Sequence, residues 1–252
     1  MRPEKMISII VPCLNHYQVT KRCIESIAHH TRNKYELIIV DDGSSDETQE
    51  ELSKIYPVGY GTIQIRHNTN LGFSKSVNDG INAAKGKLIA VFNNDMIVSK
   101  DWLKPLIAAL DTDKMLGMIS STLIEPDMCN ADEFIDYIAK LPKPDKPIEY
   151  WSKGGPWLFR AEVLKDIGAF DENFLHTTYE DWDYLIRMAL KGYKHGKALD
   201  SFVYHFSRLT QKGELKKRAG AVDYQAINKE YFYKKWGTVE PNYAKIYEDR
   251  SI

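Results

Sequence analysis

The chain has 252 residues, more than a typical single domain but consistent with one large α/β domain carrying a tail. Hydrophobic residues make up 43% and charged residues 27%, enough for a sizeable core, which excludes a globally disordered chain. The formal net charge is -1, so the whole molecule has no overall attraction for nucleic acid or an anionic membrane, although a local basic patch is not excluded.

The chain begins with a short β-branched run, residues 6–11, stopped by Pro12, which predicts a buried strand. Residues 18–30 carry Val19, Cys23, Ile24 and Ile27 at helical spacing. A second buried strand is predicted over 35–40, followed by Asp41-Asp42-Gly43-Ser44-Ser45 and a helix over about 46–55 capped by Ser45 or Asp46. A short strand at 62–66 precedes a helix at 74–84, with Gly86 as its C-cap. The strand 88–92 ends in Asn93-Asn94-Asp95; a helix at 102–110 and a strand at 115–123 follow. This alternation implies a mostly parallel sheet with helices on both faces. Ligands of such sheets bind outside the carboxyl ends of the strands. Three polar clusters fall there: Pro12 to Asn15, Asp41 to Ser44, and Asn93 to Asp95.

Residues 125–147 are rich in Pro, Asp and Lys and read as a long surface excursion. Gly154-Gly155-Pro156 predicts a sharp turn before Trp157-Leu158-Phe159. Helices are expected at 162–167 and 180–191, a strand at 201–206, and an amphipathic, aromatic-rich helix at 219–236. Cys13, Cys23 and Cys129 have neither zinc-ligand nor disulfide-framework spacing, so a reducing, cytoplasmic setting is expected. No stretch approaches the ~20 apolar residues of a membrane-spanning helix, and no signal-peptide core is present, so a lipid acceptor would be met from solution.

Several nucleotide-binding loops are absent. Gly59-Tyr60-Gly61 precedes a strand and has Gln64 where a dinucleotide loop needs glycine. Gly80 and Gly86 are too far apart for a P-loop, and Lys87 is followed by Leu88. Phosphates would then be held most simply by a divalent cation. Asp95 at a strand exit has the right chemistry for that ion, and Asp41 or Asp42 for a nucleobase imide or a ribose hydroxyl. Each has a structural alternative: D-D-G-S is good turn chemistry, and a polar strand exit needs no ligand. Glu180 and Asp181 open a helix, where acids usually face the helix dipole; alternatively one is a general base. Asp183 reads equally well as a structural carboxylate, and His205 is a lone histidine at a strand end.

Taken in order, these pieces resemble the family 2 glycosyltransferases. The matching residues are Ser8 to Pro12, Asn15, Val40 to Asp46, Asn68 to Phe73, Asn78, Phe92 to Asp95 with Trp102-Leu103, Gly168 to Glu172, and Glu180 to Asp183. The resemblance implies an α/β GT-A (nucleotide-diphospho-sugar transferase) fold with a mostly parallel central sheet and a C-terminal helical tail. Residues 1–210 would form the catalytic domain, with a nucleotide-binding half at 1–123 and an acceptor-side half at 124–210. Residues 211–252 would be a helical extension packed on it. Pro12, Asn15, Asp41, Asp42, Gly72, Asn93 and Asn94 would surround the nucleotide, Asp41 recognising the base. Asn93-Asn94-Asp95 looks like the family's D-x-D element with its first aspartate replaced. Asp95 and His205 would ligate Mn or Mg. Asp181 would be the catalytic base, with Glu180 beside it, in an inverting hexosyl or pentosyl transfer.

Gln211 and Gln225 lack the Arg-Trp that completes the Q-x-x-R-W motif of processive relatives, so single additions are expected. The expected donor is a nucleotide sugar, UDP-linked first. The acceptor is expected to be a surface glycan or glycolipid, or else a hydroxymethylated viral DNA base. Lys212 to Arg218 is either a solvated loop or a phosphate-facing patch. Two other classes compete. A sugar-phosphate nucleotidyltransferase would carry a Gly-rich basic loop where Pro12-Cys13-Leu14-Asn15-His16 stands. An inactive nucleotide- or carbohydrate-binding homologue would not be expected to carry Asp41, Asp95, Asp181 and His205 together.

Overall fold

The computed structural model describes residues 6–55, 57–124, 134, 137–150, 154–205 and 222–237. Cys129, about half of the surface excursion, the basic segment 212–218 and the first residues of the expected last helix lie outside the described residues. The elements in order are β1 (Ile7–Cys13), α1 (Tyr17–His30), β2 (Tyr35–Asp41), α2 (Thr48–Ser53), β3 (Thr62–Arg66) and α3 (Phe73–Ala83). Next come β4 (Leu88–Val91), β5 (Met96–Val98), α4 (Leu103–Thr112), β6 (Leu116–Ile124), β7 (Ile148–Glu149) and β8 (Trp157–Arg160). The last are α5 (Ala161–Ile167), α6 (Glu180–Leu190), β9 (Lys194–His205) and α7 (Tyr224–Trp236).

One sheet of nine strands runs β3-β2-β1-β4-β8-β6-β9-β5, with β7 paired to β9. The first four strands are parallel neighbours, as their βα alternation requires. The second half is mixed, because β8 runs against both β4 and β6 while β6 and β9 are parallel. Side chains alternate across this sheet with the strand period of two. Ile9, Val11, Leu37, Ile39 and Ala90 pack into one layer with α1 and α4. Ile10, Ile38, Val40, Ile89 and Val91 pack into the opposite layer with α3, α5, α6 and α7. A strand buried on both faces reads as a continuous apolar run, which is why β1, β2 and β4 were legible in the sequence.

Four expectations are corrected. β5 and β7 were not anticipated; at two or three residues neither is long enough to show a period. β9 begins at Lys194 rather than 201, since its first half is polar outside the buried His195 and Ala198. Gly86 is no helix cap: α3 ends at Ala83, and the Gly86 N–H donates to Ser8 Oγ at 2.8 Å. α7 is not amphipathic in the usual sense, because its buried positions are one asparagine, Asn228, and Phe232.

Asn78 explains why two distant motifs belong together. Its Oδ1 accepts the Phe170 N–H at 2.8 Å, while its Nδ2 donates to Phe170 O at 2.9 Å and Glu172 Oε1 at 2.8 Å. One side chain on α3 therefore replaces a strand partner for the turn before α6. Asn78→Ala strands the buried Phe170 amide, and the expected cost is about 1–3 kcal/mol of unfolding free energy in urea titration; a loss under about 0.5 kcal/mol would contradict this account.

Candidate active site

Because β2, β1 and β4 are adjacent and parallel, their carboxyl ends form one rim. Pro12 is buried near the end of β1, beyond the last residue paired to β4, so no ladder bond to β4 is lost. The chain then turns through Asn15 and His16, both left-handed at φ 54° and 56°. Two hydrogen bonds join this turn to the loop after β2. The Asn15 N–H donates to Ser44 Oγ at 2.7 Å, and Asn15 Oδ1 accepts the Ser45 N–H at 2.8 Å. Asp41 is buried; its Oδ1 accepts the Ser44 N–H at 2.9 Å and its Oδ2 meets the Arg66 guanidinium. Cys13 and Cys23 are free and buried beneath this rim; burial raises both thiols, that of Cys23 to about 12.

Asp42 has a different environment from Asp41. Its Oδ1 accepts the Leu71 N–H at 2.8 Å and lies 2.7 Å from His67 Nδ1, and its Oδ2 accepts the Gly72 N–H at 2.9 Å. The carboxylate holds residues 71–72 through their backbone amides. Gly72 also packs closely against the chain itself. Its φ is +95°, and a Cβ there would lie 2.9 Å from His176 N, so the close approach is to the 176 backbone. Gly43 likewise touches the 69–70 backbone, which locks the two loops together.

At the end of β4 the three polar residues divide. Asn94 is buried and its Nδ2 donates to Thr20 Oγ1 at 2.8 Å, so it ties β4 to α1. Asn93 lines the cavity described below. Asp95 is buried, with Oδ1 3.1 Å from His205 Nε2. The antiparallel β5–β9 ladder produces this meeting, because Met96 is in register with His205. Among the described residues no cluster of three or more His, Cys, Asp or Glu side chains forms a metal cage. One carboxylate oxygen beside one imidazole nitrogen nevertheless suits a cation that takes its other ligands from phosphate and water.

The second wall of the site is the segment before α6. His176, Thr178 and Tyr179 are left-handed at φ 57°, 92° and 68°. Non-glycine residues rarely adopt this region, a β-branched threonine least of all, and such clusters mark ligand sites more often than ordinary loops. A cavity of about 200 Å³ lies between the walls, lined by Asn93, Thr177, Thr178, Glu180 and Asp181, with Phe73, Gly154, Gly155 and Trp157. Thr177, Thr178 and the two glycines were not among the sequence candidates: the glycines announce a turn but not a cavity wall, and the threonines announce neither.

Glu180 is buried, with Oε1 3.4 Å from Thr177 Oγ1 and Oε2 without a hydrogen-bond partner among the described residues. Burial first, and the neighbouring Asp181 charge second, push its carboxyl up to about 8. Asp183 is the structural carboxylate of this helix, fully buried between Arg187 at 2.8 Å and Lys235 at 2.6 Å.

This sheet order, with helices on both faces and polar strand exits on one rim, is the GT-A fold. The solved structure of GalNAc-T7 with UDP, GalNAc and Mn2+ superposes with a TM-score of 0.69 at 17% identity, covering 91% of this chain and 50% of that one. The chain belongs to Glycosyl transferase family 2, whose profile it matches over residues 8–168. Similar proteins include the glycosyltransferase YibD of Escherichia coli (strain K12), 31% identical over 133 residues. That alignment takes in 52% of this chain, which spans only 36% of YibD. A Haemophilus influenzae glycosyltransferase is 25% identical over 87% of this chain and 75% of its own length. Glu180, Asp181 and His205 all lie beyond the profile match.

The pH dependence of stability tests the Glu180 environment. The unfolded carboxyl loses its proton near 4.5, the folded one near 8. Between those values the fold binds more protons than the unfolded chain, so stability falls as pH rises. Glu180→Gln should remove this fall: its Tm should exceed the parent's by more at about pH 8 than at about pH 5. An equal margin at both values would contradict the assignment.

Proposed function

We propose that the chain is a glycosyltransferase that moves one sugar from a nucleoside diphosphate sugar to an acceptor hydroxyl with inversion. The observation that carries this reading is the cavity in which Asn93, on the strand-end rim, meets Glu180 and Asp181 at the start of α6. At about 200 Å³ it is smaller than the ~300–1,000 Å³ of a pocket for a whole drug-sized ligand. It suits the reacting end of a donor whose nucleotide lies along the open rim.

On that rim, Ser44 and Arg66 hold the Asp41 carboxylate in place, and each oxygen keeps a lone pair for the imide N–H of a base. Pro12 and Asn15 shape the adjoining wall. Asp181 accepts the proton of the acceptor hydroxyl as its oxygen bonds to the anomeric carbon and the carbon–diphosphate bond breaks. Glu180, which keeps its own proton to about pH 8, leaves Asp181 without a second negative charge beside it. Asp95 and His205 would hold Mn2+ or Mg2+, which supplies positive charge against the leaving diphosphate. A uridine donor is favoured by the UDP and Mn2+ in the GalNAc-T7 structure. The acceptor is a surface glycan or other glycoconjugate. Among the described residues no helix is long and apolar enough to cross a membrane.

Two substitutions separate the roles. Asp181→Asn should lower transfer by about 10²–10⁴-fold, the usual worth of a positioned base, with UDP binding unchanged; full transfer would remove Asp181 from the mechanism. Asp95→Ala should abolish the Mn2+-dependent part of UDP binding measured by calorimetry. Equal binding with and without Mn2+ in both parent and variant would argue against a metal at this position.

A further inference from the structure

Asn228 is fully buried in the middle of α7, where an unsatisfied amide would be costly. Its Nδ2 donates to Leu175 O at 2.8 Å, Thr177 O at 3.0 Å and Thr178 O at 3.2 Å. Its Oδ1 accepts the Leu175 N–H at 2.8 Å. Both ends of the amide are spent on residues 175–178, the segment with the left-handed His176 and Thr178 that runs into Tyr179 and Glu180. On the far side that segment is tied to the nucleotide wall by the Phe73 N–H, which donates to His176 O at 2.6 Å. α7 also grips α6 itself, through Lys235 Nζ and Trp236 Nε1 on Asp183 Oδ1 at 2.6 and 3.1 Å.

We infer that Asn228 is a positioning residue that holds the segment 175–179, and with it Glu180 and Asp181, in the geometry for proton transfer. This rests on the reading of Asp181 as the base. Residues 175–178 lie outside any strand or helix, so their carbonyls need partners from elsewhere in the fold, and the Asn228 amide comes within hydrogen-bond distance of three of them. Without it the turn relaxes toward commoner backbone angles, and Asp181 shifts relative to the acceptor oxygen. A displacement of about 1 Å at a reacting group is worth about 100-fold in rate.

The test compares the parent with Asn228→Ser, which loses most of the donated bonds, and Asn228→Asp, which keeps the Leu175 contact but cannot donate. Leu106→Ala serves as a core truncation on the opposite face of the sheet, where Leu106 is buried. Amide hydrogen exchange of residues 176–181 is read alongside UDP binding with Mn2+ and UDP release from UDP-glucose, UDP-galactose and their N-acetyl forms. Expected is faster exchange at 176–181 in both Asn228 variants. Turnover should fall by about 100-fold while the Kd for UDP changes by less than about threefold. Leu106→Ala should lower Tm without either change. Unaltered exchange at 176–181 in a folded Asn228 variant would overturn the inference, as would an equal loss of turnover in Leu106→Ala. Asp181→Asn is measured in parallel: if it keeps full turnover, the reading of the base fails, while the exchange result still decides what Asn228 holds.

Discussion

The geometry of the site depends on one buried carboxylate. Asp42, at the exit of β2, accepts the N–H groups of Leu71 and Gly72 and faces His67. Hydrogen bonds to an ionised acceptor contribute about 1.5–3 kcal/mol each, and a buried carboxylate without them would be strongly destabilising. Those two amides fix where α3 begins. The first residue of α3, Phe73, donates to His176 O, and His176 opens the left-handed segment that ends at Glu180. The order of contacts therefore runs from the end of β2 to the acids of α6 in two steps. Gly72 must be glycine because the same two backbones pass within contact distance there.

Electrostatics at the rim follow from the same packing. Arg66 lies on Asp41, His67 bridges Asp42 and Asp79, and Lys75 lies on Asp79 at 2.6 Å. Arg66 and Lys75 are each already matched to a carboxylate, and the His67 ring lies between two. A diphosphate arriving beside them meets charges that are largely neutralised within the protein. That is an electrostatic argument for the divalent ion proposed at Asp95 and His205, whose contact across the β5–β9 ladder places an oxygen and a nitrogen donor together.

The sequence made the sheet legible where strands are buried on both faces, because β4 is an apolar run and β1 and β2 are interrupted within their buried stretch only by Ser8 and Glu36, which bond to each other. It did not show β5, the three-residue strand that brings Asp95 to His205, so their meeting followed from resemblance alone. Residue type was a fair guide to which positions matter at the rim and a poor guide to what they touch. Asp41, Asp42 and Asn94 are all polar strand exits, and the partners the fold gives them are the chain's own Ser44 and Arg66, Leu71 and Gly72, and Thr20. Nothing in a sequence separates an acid that binds a ligand from one that binds a backbone amide some thirty residues away. The left-handed run at 176–179 was hidden for a related reason: threonine and tyrosine carry no turn signal, and only tertiary contacts hold them there.

The two walls of the cavity differ in how they are held. The nucleotide wall is built from strand ends, where parallel pairing sets the backbone and loops are joined by contacts between neighbours such as Asn15 with Ser44 and Ser45. The wall bearing Glu180 and Asp181 is an irregular segment running into a helix that packs on the sheet, as Tyr184 does on Phe159. Its backbone groups are met by side chains from outside the match to the family profile, Asn228 above all, and its helix is held through Asp183 by Lys235 and Trp236. A change in α7 can therefore move the acids without disturbing the rim.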